Sequence, residues 1–438
     1  MFDDLPQALA WLDAHVDFEA KMPSRRSLPT LERMRRLTGL LGDPETAYPA
    51  IHITGTNGKG STAAMVSALL GARGLSVGTY TSPNLSRVNE RISRNGEPID
   101  DGAFTEVLES LARLEQLMDE PPTRFELLTA AALAWFADEA VDAAVIEVGL
   151  GGRWDCTNVV AGEVAVLTNV SFDHTEVLGP TLEDITRDKS GIIKAGSRVV
   201  VGETDPTLVD LVRRAALDVG AGPVWARGVD FSCGTNRLAV GGRLIDVRTP
   251  AAAYGELLVP LHGSHQGDNA SCALAAVEAF FDGPLDEDVV EEAFAGVRVP
   301  GRLEVIGRRP LVVVDGAHNV AGMITLARSL VEEFAVDGDT HVVVGMLSGR
   351  DPVAMLEPLA ASGVRSVVAC EPGSPRALPA EVVAEAARGL GLRVTVTVPP
   401  AEAVAGAVGG AGEDDRVVVC GSLYVVADAR RLLVPERS

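Results

Sequence analysis

The sequence predicts an α/β fold divided into two domains, and three observations support this prediction. At 438 residues, the chain is longer than a single hydrophobic core usually sustains. Over the first 300 residues, short β-rich runs alternate with helical patterns, which is the order of a parallel sheet with helices on both faces. A turn-rich stretch, VRVPG at residues 297–301, then precedes a second, shorter series of the same kind.

Each series supplies five candidate strands. The first contains IHITG, VGTYT, AAVIEVGL, VAVLTNV and RVVVGE, with helical segments at residues 102–118 and 125–139. The second contains LVVVDGAHN, HVVVGML, SVVAC, RVTVTV and RVVVCGS. We therefore expect an α/β domain over residues 1–298 and a smaller, Rossmann-like α/β domain over residues 299–438. Ligands are expected at the carboxyl ends of the strands in both domains.

Composition excludes several classes of protein. Hydrophobic residues make up 47% and charged residues 23%, but apolar runs such as residues 127–137 are too short to cross a bilayer. The N-terminal segment MFDDLPQALAWLDAH does not resemble a signal peptide, so we expect a cytoplasmic protein with no membrane partner. A net charge of −23 opposes binding to nucleic acid. Five scattered cysteines without CxxC spacing indicate neither a disulfide framework nor a zinc site.

The strongest functional signal is IHITGTNGKGST at residues 51–62. An apolar strand runs into a glycine-punctuated turn, in which Gly55 and Gly58 let backbone N–H groups point inward. Lys59 can then reach the β and γ phosphates of a nucleotide. This arrangement predicts a phosphate-binding loop, or P-loop, in a parallel-sheet ATPase domain.

The hydroxyl pair Ser61 and Thr62 offers an oxygen near Mg²⁺, and the helix that starts near Gly60 adds its positive end. The pattern departs from GxxxxGK[ST], because Ile53 occupies the first glycine position and Gly60 separates Lys59 from Ser61. An ordinary turn between a strand and a helix is the alternative interpretation.

Further candidates for a metal and phosphate site follow other strands. Glu147 ends the strand AAVIE beside glycines, where a carboxylate can hold Mg²⁺, although a surface carboxylate at a strand end is common. Ser82 offers a hydroxyl, and His174 can ligate a metal or cap a loop. Lys189 can neutralise phosphate charge, react with CO₂ to form a carbamate, or be a solvated helix residue.

Candidate nucleotide contacts also occur in the second half of the chain. Asn269, in HQGDNA, precedes an apolar helix and can donate hydrogen bonds or cap that helix. Arg302 lies in the presumed hinge VPGRLE. Asp315 and His318 follow the first strand of the second domain. Each of these residues can be structural. Their position at strand ends and at a domain boundary gives a ligand role about the same weight as a structural role.

Together these residues resemble the folylpolyglutamate synthase and dihydrofolate synthase family of the Mur ligase superfamily. Nine motifs occur in the family's order over nearly the whole chain: GTNGKGS, TSPNL with ERI-RNG, TRFELLTA, EVGLGGRWDCTN, DHTEVLGPTLEDI-RDKSGIIK, HQGDNA, PGRLE, DGAHN and CGSLY. One such motif is weak evidence, whereas nine in order are specific.

The resemblance implies roles for individual residues. ATP phosphates would be held by Asn57, Gly58, Lys59, Gly60, Ser61 and Thr62. Mg²⁺ would be held by Ser82, Glu147, His174 and Lys189, the last as a carbamate. The nucleotide would also contact Asn269, Arg302, Asp315 and His318. Pterin or folate would contact Leu28, Pro29, Thr30, Phe125, Asp155 and Cys156. The catalytic residues would be Lys59, Lys189 and His174.

The resemblance further implies an ATP- and Mg²⁺-dependent ligase that adds L-glutamate to dihydropteroate, to reduced folates, or to both, through an acyl phosphate. Its partners would be these small molecules, and the chain would act as a monomer. A related ligase acting on a cell-wall precursor is one alternative. A P-loop protein that uses ATP only as a conformational switch is another, and a small-molecule kinase is a third.

Overall fold

The computed structural model describes residues 2–20 and 30–434. The chain forms two compact units in that part. The first unit contains the residues up to Arg237, together with Leu244–Pro260 and Gln266–Val297. The second unit contains the residues from Arg298 onward, together with Leu238–Arg243 and Leu261–His265. Two short segments that precede residue 298 therefore pack with the second unit.

The first unit is built on a mostly parallel sheet. In the described residues its strands are β1 Ala50–Thr54, β2 Val77–Tyr80, β3 Ile92–Arg94, β4 Glu97–Pro98, β5 Ala143–Glu147, β6 Gly162–Leu167, β7 Arg198–Val201 and β8 Val224–Ala226. Their order across the sheet is β4-β3-β2-β5-β1-β6-β7-β8. The six strands from β2 to β8 in that order run parallel, and β3 and β4 add an antiparallel edge.

Helices cover this sheet, which is why the central strands β1 and β5 are buried at every position. The helices of this part of the chain are α1 Leu5–Asp13, α2 Leu31–Leu40, α3 Lys59–Ala72, α4 Asp101–Glu115, α5 Arg124–Asp138, α6 Thr175–Leu178, α7 Leu182–Lys189, α8 Pro206–Val219, α9 His265–Phe281 and α10 Glu287–Gly296. A separate small sheet has the order β11-β10-β9, with β9 Ser232–Ala239, β10 Gly242–Arg248 and β11 Ala253–Val259.

The second unit has its own sheet, with the order β12-β13-β17-β14-β15-β16. Its strands are β12 Glu304–Arg308, β13 Leu311–Val314, β14 Thr340–Val344, β15 Ser366–Ala369, β16 Arg393–Val396 and β17 Arg416–Cys420. Only the β12–β13 pairing is antiparallel among the described pairings of this sheet. Its helices are α11 Val320–Glu332, α12 Pro352–Ala361, α13 Ala380–Gly389, α14 Pro400–Gly410 and α15 Leu423–Leu433.

Helix α11 is fixed at both ends by side chains. The Asn319 side chain accepts a hydrogen bond from the Gly322 N–H at 2.8 Å and so caps the N-terminus. At the other end, the buried guanidinium of Arg416 donates to the carbonyl oxygens of Leu330 and Phe334 at 2.6 and 2.5 Å. These bonds satisfy one carbonyl in the last turn of α11 and one just beyond the helix.

Glu333 follows α11 and has a fully buried carboxylate. Its Oε1 atom pairs with Arg243 Nη1 at 2.8 Å, and its Oε2 atom lies 3.2 Å from His262 Nδ1. The Gly263 N–H also donates to the carboxylate, at 3.0 Å. Burial opposes the charged form, but these contacts hold the pKa of Glu333 below its ordinary value. Glu333 thus contacts both of the earlier segments that pack with the second unit. Glu333, Arg243, His262 and Gly263 together form the Glu333 cluster.

The predicted fold class is confirmed, and all ten candidate strands are strands of the two main sheets. The three-stranded sheet β9 to β11 and the short strands β3, β4, β8 and β12 were missed. In the described residues, no helix combines the length and the apolar character that a bilayer crossing requires.

Candidate functional site

The predicted phosphate loop connects β1 to α3 at the carboxyl edge of the first sheet. Gly58 precedes α3 with φ +80°, a left-handed conformation that favours glycine. A Cβ atom on Gly58 would lie 2.4 Å from Asn269 Oδ1. The loop therefore requires glycine at this position, both for its backbone and for the close approach of Asn269.

A threonine and an asparagine after β6 hold this loop in place. The Asn57 N–H donates to Asn169 Oδ1 at 3.0 Å, and the Asn57 carbonyl accepts from Asn169 Nδ2 at 3.0 Å. Thr168 Oγ1 donates to the same carbonyl at 2.7 Å. Neither residue was predicted from the sequence. The pair Thr-Asn at the end of an apolar strand was the available signal, because polar side chains at strand ends often support loops.

Two lysines lie close to the loop. Lys59 Nζ is 3.5 Å from the Thr56 carbonyl oxygen. Lys189, at the end of α7, is buried and donates from Nζ to the Gly55 carbonyl oxygen at 2.8 Å. Burial, and then the charge of Lys59, lower the pKa of Lys189 to about 7. Burial therefore favours the neutral form of this amine.

The predicted metal ligands Glu147 and Ser82 lie together beside the start of α3. The Ser82 N–H donates to Glu147 Oε2 at 3.2 Å. A Cβ atom on Gly60 would lie 3.6 Å from the same carboxylate oxygen. The carboxylate at the end of β5 thus faces the helix that follows the phosphate loop.

His174 immediately precedes helix α6 in a left-handed conformation, with φ +50°. Its Nε2 atom lies 3.5 Å from Asp173 Oδ1. The Asp173 carboxylate in turn raises the pKa of Lys189 electrostatically, against the dominant effect of burial. The structure therefore links His174 to the lysine through a neighbouring carboxylate.

Asn269 is the fifth residue of α9, so it lies inside the helix and does not precede or cap it as predicted; its side chain approaches Gly58. Its Nδ2 atom donates to Gln266 Oε1 at 2.9 Å. Both side chains are buried, so this bond fixes which way the amide of Asn269 points. Its oxygen faces the phosphate loop.

Of the predicted pterin or folate contacts, Phe125 and Asp155 come together at Gly149, and Cys156 Sγ lies 3.8 Å from the Phe125 carbonyl oxygen. A Cβ atom on Gly149 would lie 2.5 Å from Phe125 Cζ and 3.1 Å from Asp155 Oδ2. Cys156 Sγ lies 3.1 Å from the Thr129 hydroxyl and is buried. Burial raises the pKa of the Asp155 carboxyl, although three hydrogen bonds oppose this rise. Thr30 immediately precedes α2 and is exposed, whereas Leu28 and Pro29 lie outside the described residues.

The second unit contains the other predicted nucleotide contacts. The Asp315 carboxylate accepts hydrogen bonds from the Leu303 and Ala317 N–H groups, both at 2.8 Å. Burial raises the pKa of Asp315, and the charge of Arg302 opposes the rise. His318 Nδ1 lies 2.8 Å from the Gly316 carbonyl oxygen. These residues form one polar turn at the carboxyl end of β13.

The first unit fits a nucleotide phosphate and a divalent cation. Among the described residues, no side chain caps the N-terminus of α3, so its first N–H groups are suited to an anion. Thr62 Oγ1 is also buried, and it has no hydrogen-bond partner among the described residues. No group of three or more His, Cys, Asp or Glu side chains is arranged for a metal in residues 2–20 and 30–434. Mg²⁺ suits such a site, since it commonly takes few carboxylates and completes its shell with water and phosphate oxygens.

Comparison with known proteins identifies the family. The Mur ligase middle domain matches residues 53–277, and the Mur ligase glutamate ligase domain matches residues 301–423. Over 396 residues, the chain is 40% identical to a dihydrofolate synthase/folylpolyglutamate synthase of Mycobacterium tuberculosis, covering 84% of this chain and 80% of that protein. The chain belongs to the folylpolyglutamate synthase and dihydrofolate synthase family of the Mur ligase superfamily.

Solved structures of this family share the fold over nearly the full length. The folylpolyglutamate synthase of Mycobacterium tuberculosis complexed with ADP has a TM-score of 0.91 at 36% identity, covering 99% of both chains. A bifunctional synthase of Yersinia pestis complexed with AMPPNP and a Mn ion has a TM-score of 0.85 at 30% identity, covering 98% of both chains. The family prediction is therefore confirmed.

Replacing Gly58 with alanine is expected to weaken ADP binding at least about tenfold, because a Cβ atom costs about 1–2 kcal/mol in the left-handed region and would also displace Asn269. Gly71→Ala is the matched control in the same helix, since a Cβ atom there meets nothing within 4 Å. That variant should bind ADP normally. Calorimetric ADP titration and a thermal melt of both variants would check this, and normal binding by Gly58→Ala would contradict the loop assignment.

Proposed function

We propose that this family member is an ATP-dependent ligase that joins L-glutamate to the carboxylate of dihydropteroate, of a reduced folate, or of both. The observation that carries the proposal is the convergence of the phosphate loop, Glu147, Ser82 and the buried Lys189 at one edge of the first sheet. A phosphate site beside a carboxylate and a low-pKa lysine suits transfer of a phosphoryl group.

The reaction has two steps in this proposal. A carboxylate oxygen of the acceptor attacks the γ phosphorus of ATP, the bond to the β-phosphate oxygen breaks, and an acyl phosphate and ADP result. The amine of L-glutamate then attacks the acyl carbon, phosphate leaves, and the amine loses a proton as the amide forms. The protein contributes by positioning these groups and compensating their charge.

Phosphate binding is assigned to the loop residues Asn57, Gly58, Lys59, Gly60, Ser61 and Thr62. The N-terminal N–H groups of α3 bind phosphate oxygens, and Lys59 stabilises the charge of the transferring group. Within residues 2–20 and 30–434, α3 has no side-chain cap and the buried Thr62 hydroxyl has no partner, and both observations support this assignment. Asn269, Arg302, Asp315 and His318 are proposed to contact the rest of the nucleotide.

Mg²⁺ would be held by Ser82, Glu147, His174 and carbamylated Lys189. When bound, it would neutralise charge on the phosphates during transfer. Lys189 is the most distinctive member of this set, because a buried amine with its pKa lowered to about 7 can react as the free base with CO₂. Carbamylation would replace a cation with an anion next to the loop. Lys59, Lys189 and His174 remain the proposed catalytic residues.

The acceptor is proposed to bind at Phe125, Asp155 and Cys156, with Leu28, Pro29 and Thr30 also contributing. The aromatic ring of Phe125 and the carboxylate of Asp155 meet at Gly149, and this pair suits a flat heterocycle that donates hydrogen bonds. We further propose that residues 1–298 and 299–438 act as the ATP-binding and C-terminal domains of a cytoplasmic monomer.

The test is ATP-dependent phosphate release by the purified protein with Mg²⁺ and L-glutamate, offering dihydropteroate and tetrahydrofolate in separate reactions. Release with both, and products one glutamate heavier by mass spectrometry, would establish both activities. Release with one acceptor would assign that activity alone. Release with neither would overturn the proposal and favour a cell-wall precursor as acceptor or, without any glutamate-dependent turnover, a nucleotide switch. A stable phosphorylated product would instead indicate a kinase.

A further inference from the structure

Strand β1, which leads into the phosphate loop, carries two polar side chains on one face. Ile51 and Ile53 alternate with His52 and Thr54, and all four are buried. A buried polar group is destabilising unless it is hydrogen-bonded. The partners of His52 and Thr54 therefore indicate why this face of a central strand is not apolar.

Both side chains contact the turn that follows β5. Thr54 Oγ1 donates to the Gly151 carbonyl oxygen at 2.6 Å. His52 Nε2 lies 3.0 Å from Thr157 Oγ1, and Thr157 Oγ1 donates to Asp155 Oδ1 at 2.5 Å. The strand that carries the phosphate loop is thus bonded to the acceptor turn, residues 149–158, at two points.

The positions of the hydrogen atoms in these bonds follow from counting the donors and acceptors. The Asp155 carboxylate accepts from the Thr157 hydroxyl and from the N–H groups of Thr157 and Leu150, at 2.5, 3.0 and 2.8 Å. Three donors suit an ionised carboxylate. Because a hydroxyl has one hydrogen, Thr157 must accept from His52, which is therefore protonated on Nε2.

The histidine stays neutral at physiological pH. Burial, and then the positive charge of Lys194, lower the pKa of His52 to about 3. Its Nδ1 atom has no hydrogen-bond partner among the described residues. The Nε2 bond to Thr157 thus offsets part of the cost of burying His52. A buried histidine held by this one bond indicates a specific role for the residue.

Asp155 has its second oxygen at the proposed acceptor site. Oδ2 accepts from the Leu150 N–H and lies beside Gly149, where the ring of Phe125 also approaches. Oδ1 is occupied by Thr157. Oδ2 is thus the Asp155 oxygen that the structure places beside Gly149, where the Phe125 ring approaches.

We propose that His52 is a positioning residue for the acceptor: acting through Thr157, it holds the Asp155 carboxylate in the orientation that presents Oδ2 beside Phe125. Together with Thr54, it also sets the position of the acceptor turn relative to the phosphate loop. This inference rests on the proposed function, because it assumes that Asp155 contacts the acceptor.

The experiment compares His52→Leu with His52→Gln in steady-state assays with the accepted pterin substrate. Leucine removes the donor, whereas glutamine can supply an N–H near the position of Nε2. We expect His52→Leu to raise the KM for the acceptor about tenfold, because the Thr157 hydroxyl loses its partner. The KM for ATP should change less than about twofold, and His52→Gln should recover most of the loss.

A double-mutant cycle tests the route through Thr157. Thr157→Val removes the hydroxyl, and Thr157→Ser, which keeps it, is the matched control. If His52 acts through Thr157, adding His52→Leu to Thr157→Val should raise the acceptor KM no further. Additive effects, equal changes in both KM values, or an unchanged acceptor KM in His52→Leu would each overturn the proposal.

Failure of the proposed function gives a different result. A wild-type protein that turns over neither acceptor overturns both proposals, whereas an active wild type with an unaffected His52→Leu overturns only this one. If His52→Leu does not fold, as judged by circular dichroism, Thr157→Val against Thr157→Ser carries the test. Nitrogen chemical shifts of histidine-labelled wild type should also give the Nε2–H tautomer for His52, and the Nδ1–H tautomer would contradict the proposal.

Discussion

Replacing Lys59 with alanine is expected to lower ATP-dependent phosphate release about 10³-fold, because the variant loses the cation that faces the transferring phosphoryl group. Lys59 is the first residue of α3 and lies beside the loop carbonyls, where its ammonium can act together with the helix N-terminus. Loss of one preorganised donor commonly has an effect of this size in sites that stabilise developing charge.

Arg73→Ala is the control for this variant. Arg73 follows the other end of the same helix and pairs with Asp286 at 3.6 Å, so its removal changes the net charge equally without touching the loop. Phosphate release by Arg73→Ala should stay near the wild-type rate. Both variants should melt close to the wild type. Wild-type turnover by Lys59→Ala would refute the phosphate-loop assignment.

Lys189→Ala is expected to lose activity to a similar extent, and high concentrations of formate or acetate should restore part of it. The reason is that a carbamate on Lys189 would supply a carboxylate-like group, and a small carboxylic acid can occupy the space that alanine leaves. The buried position and the pKa of about 7 support this chemistry for Lys189.

Two comparisons make the rescue specific. Lys59→Ala should gain nothing from formate or acetate, because it lacks a cation rather than an anion. Lys189→Arg should be inactive and unrescued, since arginine keeps the positive charge and fills the space. Phosphate release across a series of formate concentrations would measure these effects. Full activity of Lys189→Ala without any added acid would rule out the carbamate.

Much of the fold could be predicted from the sequence, because the sequence of a buried parallel strand is usually a continuous apolar run. AAVI in β5 and VVV in β17 are such runs, and every residue in both is buried. A run of this kind indicates a buried strand without information from the rest of the chain. All ten predicted strands belong to the two main sheets, although β16, at the edge of the second sheet, has no buried position.

The small sheet β9 to β11 could not be predicted in the same way. Strand β9, SCGTNRLA, contains glycine, asparagine and arginine; half of its positions are exposed and the other half are only partly buried. Its stability comes from pairing with β10 and not from an apolar period. Sequence patterning reports burial, so a half-exposed strand gives a weak signal.

The candidate site was predictable only in part. Glycines, charged residues and strand ends marked Gly58, Lys59 and Glu147, whereas Thr168 and His52 read as ordinary strand residues. Their roles depend on the pairing of β1 with β6 and on the return of the acceptor turn to β1, which are contacts between distant parts of the chain. Local sequence does not contain that information.

The Glu333 cluster also affects whether the second unit can be produced as a separate fragment. In the described part of the chain, the backbone passes between the units after residues 237, 243, 260, 265 and 297. A fragment that began at residue 299 would contain the buried Glu333 carboxylate without Arg243, His262 or Gly263 to compensate it. Such an unpaired buried charge is strongly destabilising. The second unit therefore depends on segments that precede residue 298 for its own stability.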